Sequence, residues 1–222
     1  MSFANGLMQP FWVWLAAAVQ IILLTWIVTR LPWSVLLRER TIQHLMFGSV
    51  AALVLLWQMK ASVAEGLTIH FLGMTLLTLM FGWDLAILLG SLALLIAYLF
   101  AAGGVDALAI QMITLVVVPV LVSYGILRWV EAKLPRNFFI YLFACAFFGA
   151  GFAVAASGLA LAALLWVNQV YSWSEIYHNY AMYLPLIMFP EGLLNGIIMT
   201  GMMVFHPDWI RTFDARAYID EQ

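Results

Sequence analysis

Seven runs of apolar residues, most of them free of charge, constrain what this chain can become. They cover 11–29, 42–59, 66–82, 84–102, 107–130, 137–167 and 180–205. A helix needs roughly 20 apolar residues to cross a bilayer core of about 30 Å. Lipid cannot hydrogen-bond a peptide group, so a segment inside it must be a helix or part of a closed barrel. Barrel strands alternate apolar and polar residues, and these runs do not. The expected fold is all-α: a polytopic membrane bundle of about seven transmembrane helices, one integral membrane domain over 1–222. Composition agrees. Hydrophobic residues make up 66% of the chain and charged ones 9%, against ~45–50% and ~25% in soluble domains. A soluble fold of this size cannot hide so much apolar surface. The net charge of −2 provides no basic field for a polyanion, so no nucleic acid is expected as a partner. The single cysteine, Cys145, excludes an intrachain disulfide framework and a CxxC site.

Basic residues orient the spans. Arg30, Arg38 and Arg40 follow the first run, Arg128, Lys133 and Arg136 lie between the fifth and sixth, and Arg211 and Arg216 follow the seventh. Only Lys60 falls in the opposite set of loops. The positive-inside rule then puts the N-terminus outside and the C-terminus in the cytoplasm, in a plasma membrane such as the bacterial inner membrane. Residues 1–10 carry no basic stretch, so the first span is expected to be retained rather than cleaved. The run 137–167 is long for one span, and Gly149, Gly151 and Gly158 offer places to break it. Tryptophans near span ends, Trp57 among them, read as interfacial anchors.

Polar residues inside the spans are expensive and are the functional candidates. His70 sits about a turn inside the outer end of the third span, which Glu65 and Gly66 mark. Neutral imidazole is a common metal ligand that tolerates an apolar setting; the alternative is a histidine hydrogen-bonded to a neighbouring helix. Glu191 follows Pro190 in the seventh span, with Asn195 one turn on. Proline frees a carbonyl in the preceding turn, so Glu191 is either a buried hub or part of a site. Gln111 and Thr114 share one face of the fifth span, where helix packing competes with a pocket role. Twelve methionines are present but dispersed. No Walker A loop, HExxH, GxSxG or paired intramembrane aspartates occur. The chain is therefore not expected to be an enzyme, and any ATP hydrolysis would reside on a partner chain.

Three segments resemble the CbiM/NikM group, the membrane substrate-specificity components of energy-coupling-factor transporters for cobalt and nickel. Gly66-Leu-Thr-Ile-His70-Phe-Leu-Gly73 with Phe81-Gly82-Trp83 is similar to the group's S/G-G-H-L-L-G…L-G-P-W stretch. Gly103-Gly104 through Gln111 and Thr114 is similar to G-G-L-x-A-L-G-A-N-x-x-N. Pro190-Glu191-Gly192-Leu-Leu-Asn-Gly196, with Pro207-Asp208 beyond, is similar to G-E-G-L-x-x-G…R-P-D/E. The order is the same, over about 60–210. In metal-binding members a histidine at the second position joins the N-terminal amine and the histidine of the first segment in a planar nitrogen site. Here position 2 is Ser2, and no histidine precedes His44.

The resemblance implies a specificity component for uptake of a transition-metal ion, Co2+ or Ni2+, as substrate, with no tightly bound cofactor. It implies His70 as metal ligand and Met1, through its amine, as a weaker second donor. Glu65, Gln111, Thr114, Glu191 and Asn195 are the substrate-pocket candidates. The partners implied are a transmembrane coupling subunit and ATPase subunits, besides the lipid bilayer. Two alternatives are a specificity component for another small solute and a non-transporting membrane subunit that assists assembly of a larger complex.

Overall fold

The computed structural model describes residues 2–3, 8–59, 61–64, 67–101 and 105–214; for 2–3, 61–64, 67–69, 101 and 105–107 the description is of the backbone alone. The protein is a helical bundle. Among the described residues, five stretches are long and apolar enough to cross a membrane: Pro10–Arg30, Met74–Phe100, Leu108–Lys133, Phe138–Val167 and Trp173–Phe205. A shorter apolar helix covers Arg40–Leu56.

Local chemistry sets the ends of the first helices. Helix α1 (Pro10–Arg30) opens on a proline, which needs no donor in the first turn. It stops at Leu31, held extended (φ −67°, ψ 138°) by the Pro32 that follows. A short α2 (Trp33–Leu36) turns the chain into α3 (Arg40–Leu56). Next come two short strands, β2 (Ala61–Ala64) and β3 (Leu67–Ile69). Strand β1 (Ser2–Phe3) completes a small antiparallel sheet in the order β1-β3-β2, with Ser2 opposite Thr68 and Phe3 opposite Leu67.

This sheet corrects the expectation of a continuous helix over 66–82. The third run is a strand at β3 and irregular over 70–73, and only α4 (Met74–Phe81) is helical. Eight residues of helix span about 12 Å, well short of a bilayer core. Glycines bound α4 on both sides in the left-handed region, Gly73 at φ 66° and Gly82 at φ 84°, which other residues adopt only with strain. At Gly82 the chain doubles back into α5 (Trp83–Ala101). A Cβ on Gly90 would sit 2.6 Å from Cε of Met74. That contact requires α4 and α5 to lie side by side rather than end to end.

Helix α6 (Val105–Gln111) continues through π-helical turns at Met112–Val117 into α7 (Val118–Lys133). The widened turns lie directly before Pro119, whose ring crowds the preceding turn and cannot donate. The next run is one continuous helix. A short α8 (Phe138–Ile140), π-helical Tyr141–Phe148 and α9 (Gly149–Val167) follow without a break. The glycines that offered a break serve close packing instead: a Cβ on Gly151 would lie 3.3 Å from the Met188 carbonyl oxygen. Helix α10 (Trp173–Asn179), capped by Ser172, leads into α11 (Leu184–Phe205).

The ends of the bundle sort as the charges require. Residues of α2 and the start of α3 line one cavity together with Phe81, Leu85, Asp208 and Arg211. Asp84, Arg128, Glu131 and Arg211 line another. The segments that carry most of the basic residues thus meet at one end. At the other end, the backbone N–H of Gln9 donates to Oδ1 of Asn168.

Candidate functional site

His70 lies in the irregular stretch between β3 and α4, not on a helix, and is 4% exposed. Its Nδ1 is 2.9 Å from the Phe71 carbonyl oxygen. A carbonyl can only accept, so Nδ1 carries the hydrogen; in the neutral form of the ring the lone pair then falls to Nε2. The ring of Trp57 faces it at a centroid distance of 6.1 Å. Trp57 itself is 2% exposed, and its Nε1 donates to the Leu72 carbonyl at 3.1 Å. Trp57 is therefore a buried wall of this region rather than an interfacial anchor.

A non-helical backbone at membrane depth must find its hydrogen bonds within the protein. Helix α11 supplies them. Glu191, seven residues into that helix and 1% exposed, accepts from two successive backbone N–H groups, Leu72 at Oε2 and Gly73 at Oε1, both at 2.8 Å. Asn195, one turn on, accepts from the Leu76 N–H at 2.9 Å. Its Nδ2 donates to Oε1 of Glu191 at 3.0 Å and to the Glu191 carbonyl at 2.7 Å. Two side chains of one helix therefore cap the N-terminus of α4, where a helix presents donors without partners.

The opposite end of α4 presents carbonyls, and the segment after α11 takes them. The backbone N–H of Arg211 donates to Met80, and its guanidinium to Phe81 at 2.9 Å and to Asp84 at 3.2 Å. The Thr212 hydroxyl donates to the Leu79 carbonyl at 2.7 Å. Both ends of α4 are fastened to one stretch of chain, 191–212.

The other sequence candidates fall elsewhere. Gln111 is buried at the end of α6. Thr114 lies in the π-helical turns; its hydroxyl donates to the Ile110 carbonyl at 3.1 Å, and its own carbonyl accepts the Ser157 hydroxyl at 2.6 Å. Met1 and Glu65 lie outside the described residues. Among the described residues, no three His, Cys, Asp or Glu side chains gather in a way that could hold a metal ion. Sequence reasoning missed Trp57, Arg211 and Thr212. The two glycines bounding α4 were the available signal that a broken segment needed partners at both ends.

A membrane bundle with one interrupted passage, and a buried imidazole at the interruption, is an arrangement that membrane transport proteins use. The chain belongs to the CbiM family: the profile described as "Cobalt uptake substrate-specific transmembrane region" matches residues 3–209. It is thus a substrate-specificity component of metal uptake. The fold is similar to a solved structure titled "Crystal Structure of an Truncated Transition metal Transporter". That likeness has a TM-score of 0.80 and 20% identity, covering 93% of this chain and 100% of the other. A second, "Crystal Structure of an transition metal transporter", gives a TM-score of 0.79 at 20% identity and covers 92% and 93%. At this identity the likeness establishes the fold. No curated protein matches the chain in sequence.

Proposed function

We propose that this protein captures a divalent transition-metal ion, Co2+ or Ni2+, at the outer side of a bacterial inner membrane, with Nε2 of His70 as a ligand. Release to the cytoplasm then depends on the separate coupling and ATPase subunits of an energy-coupling-factor transporter. One observation carries the reading: the N-terminal strand Ser2–Phe3 pairs with Thr68 and Leu67, immediately before the buried His70. A single imidazole cannot make a selective site. We assign the remaining donors to nitrogen groups of the N-terminal segment, with the Met1 amine first among them. Glu65, Gln111, Thr114, Glu191 and Asn195 are proposed as polar surroundings rather than ligands.

The test is metal titration of the purified protein with Co2+, Ni2+, Cu2+ and Zn2+, beside His70→Ala. The expected result is saturable binding of Co2+ or Ni2+ that His70→Ala loses while keeping the wild-type unfolding temperature. Equal binding by the variant removes His70 from the site. A second reading, another small solute as cargo, is favoured by Ser2 at the position where metal-binding relatives carry histidine. A wild-type protein that binds none of the four ions selects it.

A further inference from the structure

We propose that Glu191 is a positioning residue for the metal ligand His70, acting through the peptide group between Phe71 and Leu72. This inference rests on His70 being a ligand. One trans peptide unit carries both contacts: its oxygen, on Phe71, accepts from Nδ1 of His70 at 2.9 Å, and its N–H, on Leu72, donates to Glu191 at 2.8 Å. In a trans unit the C=O and N–H point to opposite sides. The carboxylate and the imidazole therefore stand at opposite edges of the same planar group, joined through it. A carboxylate pulling on the N–H polarises the amide and makes its oxygen a better acceptor. That fixes the hydrogen on Nδ1 and raises the donor strength of Nε2. Metal-bound histidines are held this way by a carboxylate or carbonyl directly; here a peptide unit stands between.

The next peptide unit repeats the pattern. Its oxygen, on Leu72, accepts from Nε1 of Trp57, and its N–H, on Gly73, donates to the other oxygen of Glu191. Both oxygens of the carboxylate are thereby committed to the two planes that follow His70. A neutral carboxamide at this position presents only one accepting oxygen, so Glu191→Gln keeps the size of the side chain and loses one of the two grips.

The experiment is a Co2+ titration, read by the absorption of the bound ion, on wild type, Glu191→Gln and Thr212→Val. Thr212 fastens the far end of α4 and does not touch the two peptide units. The dissociation constant of Glu191→Gln is expected to rise by about 10–100-fold, with an altered cobalt spectrum. Thr212→Val is expected to bind like wild type, and the buried Cys145 to stay unreactive to thiol reagents in both variants. Wild-type affinity and spectrum in Glu191→Gln overturn the proposal and leave the metal reading standing. So does an equal loss in Thr212→Val, which reduces Glu191 to an anchor of α4. Nitrogen-15 NMR of histidine-labelled wild type, with His70 assigned by His70→Gln, supplies a second test that does not depend on the folding of Glu191→Gln. Hydrogen on Nδ1 is expected, and hydrogen on Nε2 overturns the relay. A wild type without His70-dependent metal binding removes both the metal reading and this one.

Discussion

The carbonyl oxygen of Phe147 occupies the space that a Cβ on Gly192 would need, 2.7 Å from it. Phe147 belongs to the π-helical start of the sixth passage, and Gly192 follows the capping Glu191 on α11. Backbone cannot step aside as a flexible side chain can. Gly192→Ala is expected to push the two helices apart and destabilise the protein by about 1–3 kcal/mol. Gly196→Ala, whose nearest contact would be an ordinary 3.5 Å from the Phe147 ring, is expected to be neutral within about 0.5 kcal/mol. Thermal unfolding in detergent micelles compares the two.

Arg211 makes two kinds of contact of different worth. Its ion pair with Asp84 is exposed, at 58% and 23% for the two side chains, and such pairs contribute about 0–1 kcal/mol. Its bond to the Phe81 carbonyl satisfies a part-buried helix end. Asp84→Asn is therefore expected to change stability little. Arg211→Ala should speed amide exchange in the last turn of α4 by more than Asp84→Asn does. Hydrogen exchange read by mass spectrometry on peptides covering 74–85 decides it; equal exchange in the two variants would show the carbonyl contact to be unimportant.

A polar pair joins α1 to α5. Nε2 of Gln20 donates to the Ser91 hydroxyl at 3.0 Å, and Oε1 of Gln20 is buried with no hydrogen-bond partner among the described residues. Ser91→Ala strands the whole carboxamide and is expected to cost about 1–2 kcal/mol. Replacing both groups, Gln20→Leu with Ser91→Ala, removes the unmet demand and should return stability to wild type or above it. A double-mutant cycle measured by unfolding in micelles reports the coupling.

The loop before α11 carries a pH-dependent cap. The Glu175 carboxylate is held below its ordinary range by hydrogen bonds from Ser172, the hydroxyl first and then the backbone N–H. The Ser172 N–H lies 2.8 Å from Oε2 of Glu175 and closes a capping box on α10. A lowered folded-state value means that the contribution is present above the unfolded carboxylate value and disappears as pH falls through the folded one. Carbon-13 NMR titration should place the Glu175 midpoint below that of an ordinary glutamate, and Ser172→Ala should raise it. A midpoint unmoved by Ser172→Ala would show that the cap does not hold the carboxylate.

Six of the seven apolar runs were legible as helices because a helix in lipid meets its own hydrogen bonds, so hydropathy and length suffice to find it. The third was not, because a non-helical stretch at membrane depth is stable only with partners that are distant in sequence. Leu72 and Glu191 are 119 residues apart, and no local pattern around either announces the other. Glu191 and Asn195 stood out as expensive polar residues, which was enough to single them out but not to find what they hold. Trp57 was hidden among other tryptophans at span ends. Gly151 and Gly192 were visible as small residues, but whether a glycine breaks a helix or admits a neighbour depends on the neighbour.

Both tips of α4 are gripped by the same neighbour, above by Glu191 and Asn195 and below by Arg211 and Thr212. A short rod splinted in this way has no independent swing. Its backbone joints are the two left-handed glycines at its ends. The segment that holds the imidazole is therefore braced, through this one splint, against the end of the bundle where Arg211 also meets Asp84.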